Sequence, residues 1–343
     1  MDRTARRFVL LVLATSLGLT GGMALLNFGI DPFNRYGNNR LGVYISAERE
    51  CKSCYVKRYA HNALLVGNSR ETRIPTASLH GFRFFNGAFS GATEEEVYFF
   101  LQHFAWHQRL VILAVDVGAS DPVEPHGDIF APAGLRSDLD NLLNLQTTEY
   151  SIRTISESLS RHPQPIGKDG VLPMGSWVKD ADQDDPPKAA YRIKVLQEKW
   201  SQYHCPPIGK MSFLVKIRDC LQQRGIPCVV VIPPVHQAVA QAMKSGAAGQ
   251  AVAEWKRQLG TIFPHVIDLS FSSYGTATNF YRTDPIHFKN DVGIRFLNAK
   301  VIPFATAILR ETPGREDTSK HKLSFNPPTT SSSSPAPPPR ASF

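Results

Sequence analysis

The chain has 343 residues, 42% of them hydrophobic, which is enough for one large domain or two small ones around a buried core. Its net charge of +8 is scattered; no run of five or six lysines and arginines and no basic–aromatic interleaving marks a nucleic-acid module, so none is expected as a partner. Five cysteines, an odd number, exclude a disulfide framework that pairs every thiol within one chain.

Arg3, Arg6 and Arg7 precede Phe8 to Ile30, a 23-residue stretch without a charged side chain. That length spans a bilayer with some tilt, and the arginines should stay on the cytoplasmic side. Residues 1–30 therefore read as a cytoplasmic stub and membrane anchor, with everything after Asp31 outside the cytoplasm. A cleavable signal peptide is the competing reading, but its apolar region is usually shorter, and no strong small-x-small site follows. Residues 31–60, with Pro32, Gly37 and Asn38-Asn39, read as a polar juxtamembrane connector. Within it, Cys51-Lys-Ser-Cys54 has redox or zinc-ligand spacing. No second CxxC or histidine pair completes a metal site, so a structural disulfide or a plain pair of thiols is expected.

Ala63 to Val66 predicts a short strand running into Gly67-Asn68-Ser69-Arg70. Phe84-Phe85 predicts a second strand, ended by Asn86-Gly87. Thr93 and Glu96 form a capping box, and Val97, Phe100, Leu101 and Phe104 share one helical face. Leu110 to Val117 is apolar enough for a strand buried on both faces. From 118 to about 210 prolines are frequent and the pattern loosens, which reads as an inserted lid-like region; its Trp177 and Trp200 receive no role. Regular order then resumes: a helix over 213–224 stopped by Gly225, a strand over 226–232, a helix over 235–262 broken near 246–249, and a strand over 266–269. Asp284-Pro-Ile-His287 precedes a last helix over 290–309, with a kink expected at Pro303. The Ser/Pro-rich tail, 311–343, cannot bury enough apolar surface to order itself. Strands alternating with helices imply an α/β domain over 61–310 with a mostly parallel sheet covered on both faces. Ligands bind such sheets at the carboxyl ends of the strands, where Ser69, Asn86-Gly87 and Asp116 all fall.

A serine hydroxyl is a poor nucleophile until a base takes its proton. His287 could do that, while Asp284 holds the imidazole; three residues apart, the two can face one direction on a turn or helical start. The Ser69 and Gly87 amides are the expected donors to an oxyanion, with Asn86 beside them. Taken singly, each motif also has a structural reading. Ser69 could cap a helix, and Asp284-Pro285 could start a turn. No metal or organic cofactor is required.

The arrangement resembles the SGNH/GDSL hydrolase superfamily. Gly67-Asn-Ser-Arg70 matches its nucleophile block, Asn86-Gly87 its glycine block, and Asp284-Pro-Ile-His287 its Asp-x-x-His block. With the anchor and Asp31-Pro32, the chain looks like the membrane-anchored bacterial members, relatives of alginate O-acetylation and teichoic-acid D-alanine transfer proteins. The resemblance implies a flavodoxin-like αβα sandwich and ester hydrolysis or acyl transfer on cell-surface or exported glycans. It also implies an inner-membrane location and a membrane-bound O-acyltransferase as partner. Two departures stand out. The nucleophile block is usually Gly-Asp-Ser, and the Gly-x-Asn-Asp block that supplies a third oxyanion donor is replaced by Val115-Asp116-Val117-Gly118. An ionised Asp116 cannot donate a hydrogen bond. Asn68, Asn86 or Arg70 could supply the missing donor, while Arg70 could instead bind an anionic substrate or pair with Asp116. Two rival functions are a non-catalytic glycan-binding or assembly protein with a hydrolase-like fold, and a thiol redox protein using Cys51 and Cys54.

Overall fold

Five short runs become parallel strands: β1 (Ala63–Val66), β2 (Phe84–Asn86), β3 (Leu110–Ala114), β4 (Cys228–Ile232) and β5 (Val266–Asp268). The computed structural model describes residues 2–44, 47–131 and 135–311, so the tail expected over 311–343 lies outside them apart from Glu311. The strand order is β2-β1-β3-β4-β5, with Ala63 level with Phe84 on one side and Leu110 on the other. This is the order of a flavodoxin-like sheet, in which the direction of winding reverses beside β1.

Alternate residues of a strand point to opposite faces, and here both faces are apolar. Leu64, Val66, Phe85, Val111, Leu113, Val230 and Ile232 enter one core. That core is closed by α2 (Glu48–Arg58), α3 (Glu94–Phe104), α8 (Ser212–Gln223) and α10 (Gly246–Ile262), and Trp255 of α10 is fully buried in it. Ala63, Leu65, Phe84, Leu110, Ile112, Val229 and Val231 enter the other core, beneath α11 (Asn290–Phe296) and α12 (Ile302–Glu311). The result is an α/β/α sandwich.

The capping box of α3 forms in full: Thr93 Oγ1 accepts from the Glu96 amide, and the Glu96 carboxylate accepts from the Thr93 amide. The helix expected over 235–262 divides at Ser245 into α9 (Gln237–Lys244) and α10. The last helix does not simply kink at Pro303. The chain widens into a π-helical turn over Leu297–Val301 between α11 and α12. A proline ring displaces the carbonyl four residues before it, and the wide turn accommodates this without ending the helix.

The connector is more than a polar leash. Glu48–Arg58 forms α2, and Cys51, Tyr55 and Val56 enter the core. Lys52 is also fully buried, 3.0 Å from Glu48, with its ammonium donating to the Ala88 carbonyl. All five cysteines are free thiols, so no disulfide joins Cys51 to Cys54. Burial pushes the Cys51 thiol far up and Cys54 up as well, which disfavours the reactive thiolate at both.

The N-terminal α1 (Arg3–Ile30) is an apolar helix of 28 residues, long enough to cross a membrane. Its last turns, from Met23 on, meet α4 (Leu135–Leu142) and α5 (Leu145–Ser158). Asp31 ends it in the left-handed conformation, and the Asp31 carboxylate accepts the amides of Arg35, Tyr36 and Asn38. The inserted region also carries α6 (Gly175–Ala181) and α7 (Pro186–Ser201), which packs on α9.

Candidate active site

The β1 strand delivers Asn68 and Ser69 into a tight turn at its carboxyl end. Within it the Glu71 amide donates to the Asn68 carbonyl, and Thr72 Oγ1 donates to the Ser69 carbonyl. Ser69 Oγ lies 2.9 Å from Nε2 of His287. His287 Nδ1 lies 2.9 Å from Asp284 Oδ2. The three side chains thus form one line of hydrogen bonds across 218 residues of sequence.

Asp284 and His287 do not stand on a turn or helical start. They belong to β7 (Asp284–Phe288), which pairs antiparallel with β6 (Phe280–Tyr281) in a small ribbon apart from the main sheet. Strand residues three apart ordinarily point to opposite faces. Here Asp284 folds back on its own backbone, and its Oδ1 accepts the amides of Ile286 and His287. That leaves Oδ2 for the imidazole. Burial alone would raise the Asp284 carboxyl, but the His287 hydrogen bond, its charge and the two amides outweigh it and hold the group below the usual carboxylate range.

The inserted region reaches this site. Trp177 of α6 stands edge-on to His287, with ring centres 5.0 Å apart, and Arg73 lies 4.4 Å over the indole. The Ala181 carbonyl accepts from the Thr283 amide, and Arg192 of α7 donates to the Thr283 carbonyl. The residue before Asp284 is therefore clasped from both sides. Nothing in the sequence pattern distinguished Trp177 or Arg192 from packed or solvated side chains.

Two expected oxyanion donors are already committed. The Gly87 amide donates to the Leu65 carbonyl at 2.8 Å as part of the sheet. Glycine at 87 serves packing, because a Cβ there would meet Phe100 Cε1 at 2.5 Å. The Asn86 carboxamide is fully buried; it donates to the Glu71 and Ile74 carbonyls and accepts the Ala88 amide. Asn86 thus ties β2 to the turn that carries Ser69. By contrast, the Ser69 amide meets no acceptor among the described residues.

Arg70 pairs with Asp116 at 2.8 Å and donates to the Pro234 carbonyl, so the open choice between substrate and Asp116 resolves to Asp116. The second Asp116 oxygen accepts from Asn68 Nδ2 at 2.7 Å. Asp116 therefore holds the residues on both sides of Ser69, and its charge is offset by a guanidinium that is only 6% exposed. Asn68 keeps one amide hydrogen beyond the bond to Asp116.

Glu71 and Glu94 complete a group of carboxyls with Asp116. Burial and then the Asp116 charge push Glu71 up to about 8, and its Oε1 has no partner among the described residues. Burial likewise pushes Glu94 up to about 7. No group of three or more His, Cys, Asp or Glu residues could hold a metal ion among the described residues.

No protein-family model and no curated protein matches this chain. A hydroxyl bonded to an imidazole that is oriented by a buried carboxylate can be deprotonated as it attacks a carbonyl, with a free backbone amide beside the attacked carbon.

Proposed function

We propose that the chain is a membrane-anchored serine esterase or O-acyltransferase of SGNH/GDSL type, acting outside the cytoplasm on cell-surface or exported glycans. The observation that carries this reading is the Ser69–His287–Asp284 hydrogen-bond line at the carboxyl edge of a parallel sheet. Ser69 attacks an acyl carbonyl while His287 takes its proton. The imidazolium is stabilised by Asp284 and returns the proton to the leaving alcohol. A sugar hydroxyl or water then attacks the acyl-enzyme, with His287 as base again. The Ser69 amide and the remaining Asn68 amide hydrogen serve the oxyanion in place of Gly87 and Asn86. The uncharged Phe8–Ile30 stretch of α1, with Arg3, Arg6 and Arg7 before it, supports a single span of a bacterial inner membrane, with the domain outside. A membrane-bound O-acyltransferase would be the natural acyl donor for such a protein.

A second reading, a non-catalytic glycan-binding or assembly protein, is favoured by the commitment of the Gly87 and Asn86 donors to the fold. A fluorophosphonate probe separates the two. Stoichiometric labelling of the full chain at Ser69, abolished by Ser69→Ala and by His287→Ala, is the outcome expected of the enzyme. A folded chain that takes no label would sustain the second reading instead.

A further inference from the structure

Asn27 is an unusual residue to find in the last turns of an apolar helix, and it is completely buried. Its Nδ2 donates to the Leu142 carbonyl at 2.9 Å and to Thr148 Oγ1 at 3.0 Å, while its Oδ1 accepts from Ser151 Oγ at 2.9 Å. A carboxamide left unpaired in an apolar setting is costly, so these bonds fasten α1 to the corner between α4 and α5. Close by, Arg35 pairs with Asp138 at 2.7 Å, and the Tyr36 ring packs on Phe28 with its hydroxyl reaching the Asp138 carbonyl.

The helical rise places this corner. Phe8 to Asn27 covers roughly 30 Å, the thickness of a bilayer's hydrocarbon core. A span that begins at Phe8 therefore leaves the hydrocarbon at Asn27, and Arg35 and Tyr36 fall at headgroup depth, where aromatic and basic side chains gather. The same corner exposes large apolar side chains: Leu139 within α4 and Leu143 just after it, then Leu145 and Ile152 seven residues apart on α5. Leu145 is 78% exposed and Ile152 58%.

We propose that the α4–α5 corner is a second membrane contact, with Leu139, Leu143, Leu145 and Ile152 inserted at the boundary between headgroups and acyl chains beside the exit of α1. The proposal rests on the reading of α1 as a membrane span. The occupant is lipid and not a protein partner, because the Asn27 bonds hold the corner directly against α1, whose own Leu25 and Phe28 remain exposed beside it. Two attachments in place of one fix the tilt of the domain relative to the bilayer.

Site-specific photo-cross-linking of the full chain in phospholipid nanodiscs tests this. A photoactivatable residue is placed in turn at 19, 145, 152 and 244; all four positions are exposed, and the one contact given up is that of the Lys244 ammonium over the Phe271 ring. Adducts with lipid at 145 and 152 as well as 19, and none at 244, are expected. Lipid adducts at 19 alone would overturn the second contact and leave the anchor standing. Adducts at 145 and 152 with another protein chain would also overturn it, in favour of a protein interface. No lipid at 19 would remove the membrane span itself and the proposal with it.

Discussion

Glu71, two residues after the candidate nucleophile, should make the protein less stable as pH rises, and Glu71→Gln should remove that dependence. An unfolded glutamate titrates near 4.5, whereas burial and the Asp116 charge place the folded carboxyl at about 8. The folded state therefore holds this proton more tightly than the unfolded state. The corresponding stability is fully present below pH 4.5 and is lost as pH rises through about 8. Integrated from about pH 5 to about pH 8, the loss is roughly 3.5 kcal/mol of unfolding free energy. Glutamine keeps the shape of the protonated acid and has no proton to lose. Urea unfolding of the full chain in detergent, followed by tryptophan fluorescence, gives the free energy at each pH for both proteins. Subtracting the two curves cancels the contribution of other titrating groups such as Glu94. The variant should gain on the parent by roughly 3.5 kcal/mol across that window. Parallel curves would mean the opposite, that Glu71 carries the same proton count folded and unfolded.

Asn86→Ala should cost about 2–3 kcal/mol in the same unfolding assay, because it strands the Glu71 and Ile74 carbonyls and the Ala88 amide. The folded variant should also react more slowly with the serine probe, since the turn carrying Ser69 loses its tie to β2. Gly87→Ala should cost about 1–3 kcal/mol by overpacking against Phe100, and Phe100→Leu in the same chain should recover part of the loss; a neutral Gly87→Ala would contradict the packing role. Asp116→Ala should cost about 3–5 kcal/mol by leaving the buried Arg70 guanidinium without its counter-charge, and Asp116→Asn should cost less. Alkylation followed by mass spectrometry should find Cys51 unreactive in the folded chain and reactive after unfolding, with no mass change on reduction beforehand.

The sheet was legible because four of its five strands, all but β5, are buried on both faces. Ala63–Val66, Leu110–Ala114 and Cys228–Ile232 stand out as apolar runs whatever the tertiary context. The start of α3 was legible because Thr93 and Glu96 satisfy each other locally. Ser69, Asp284 and His287 were legible as chemistry, but the backbone under the last two was not: the fold-back of Asp284 onto its own amides lets a strand present residues three apart together. The α2 helix was hidden by its own composition. Glu48 and Lys52 fall in the stretch read as a polar connector, yet their mutual charge compensation is what allows both to be buried. Gly87 and Asn86 misled for a related reason. Each was assigned to substrate by its place at a strand end, while partners distant in sequence, Phe100 for one and the Glu71–Ile74 turn for the other, had already claimed it.

The distance along the chain between Ser69 and His287 also sets an order in time. A ribosome adding about 5–20 residues per second needs roughly ten to forty seconds to pass from one to the other. Throughout that interval the turn carrying Ser69 can fold on β1, but the ribbon that carries His287 does not yet exist. An unfinished or C-terminally clipped chain therefore holds a serine hydroxyl with no base to deprotonate it. The hydrogen-bond line from Ser69 through His287 to Asp284 can therefore close only when translation has delivered β7.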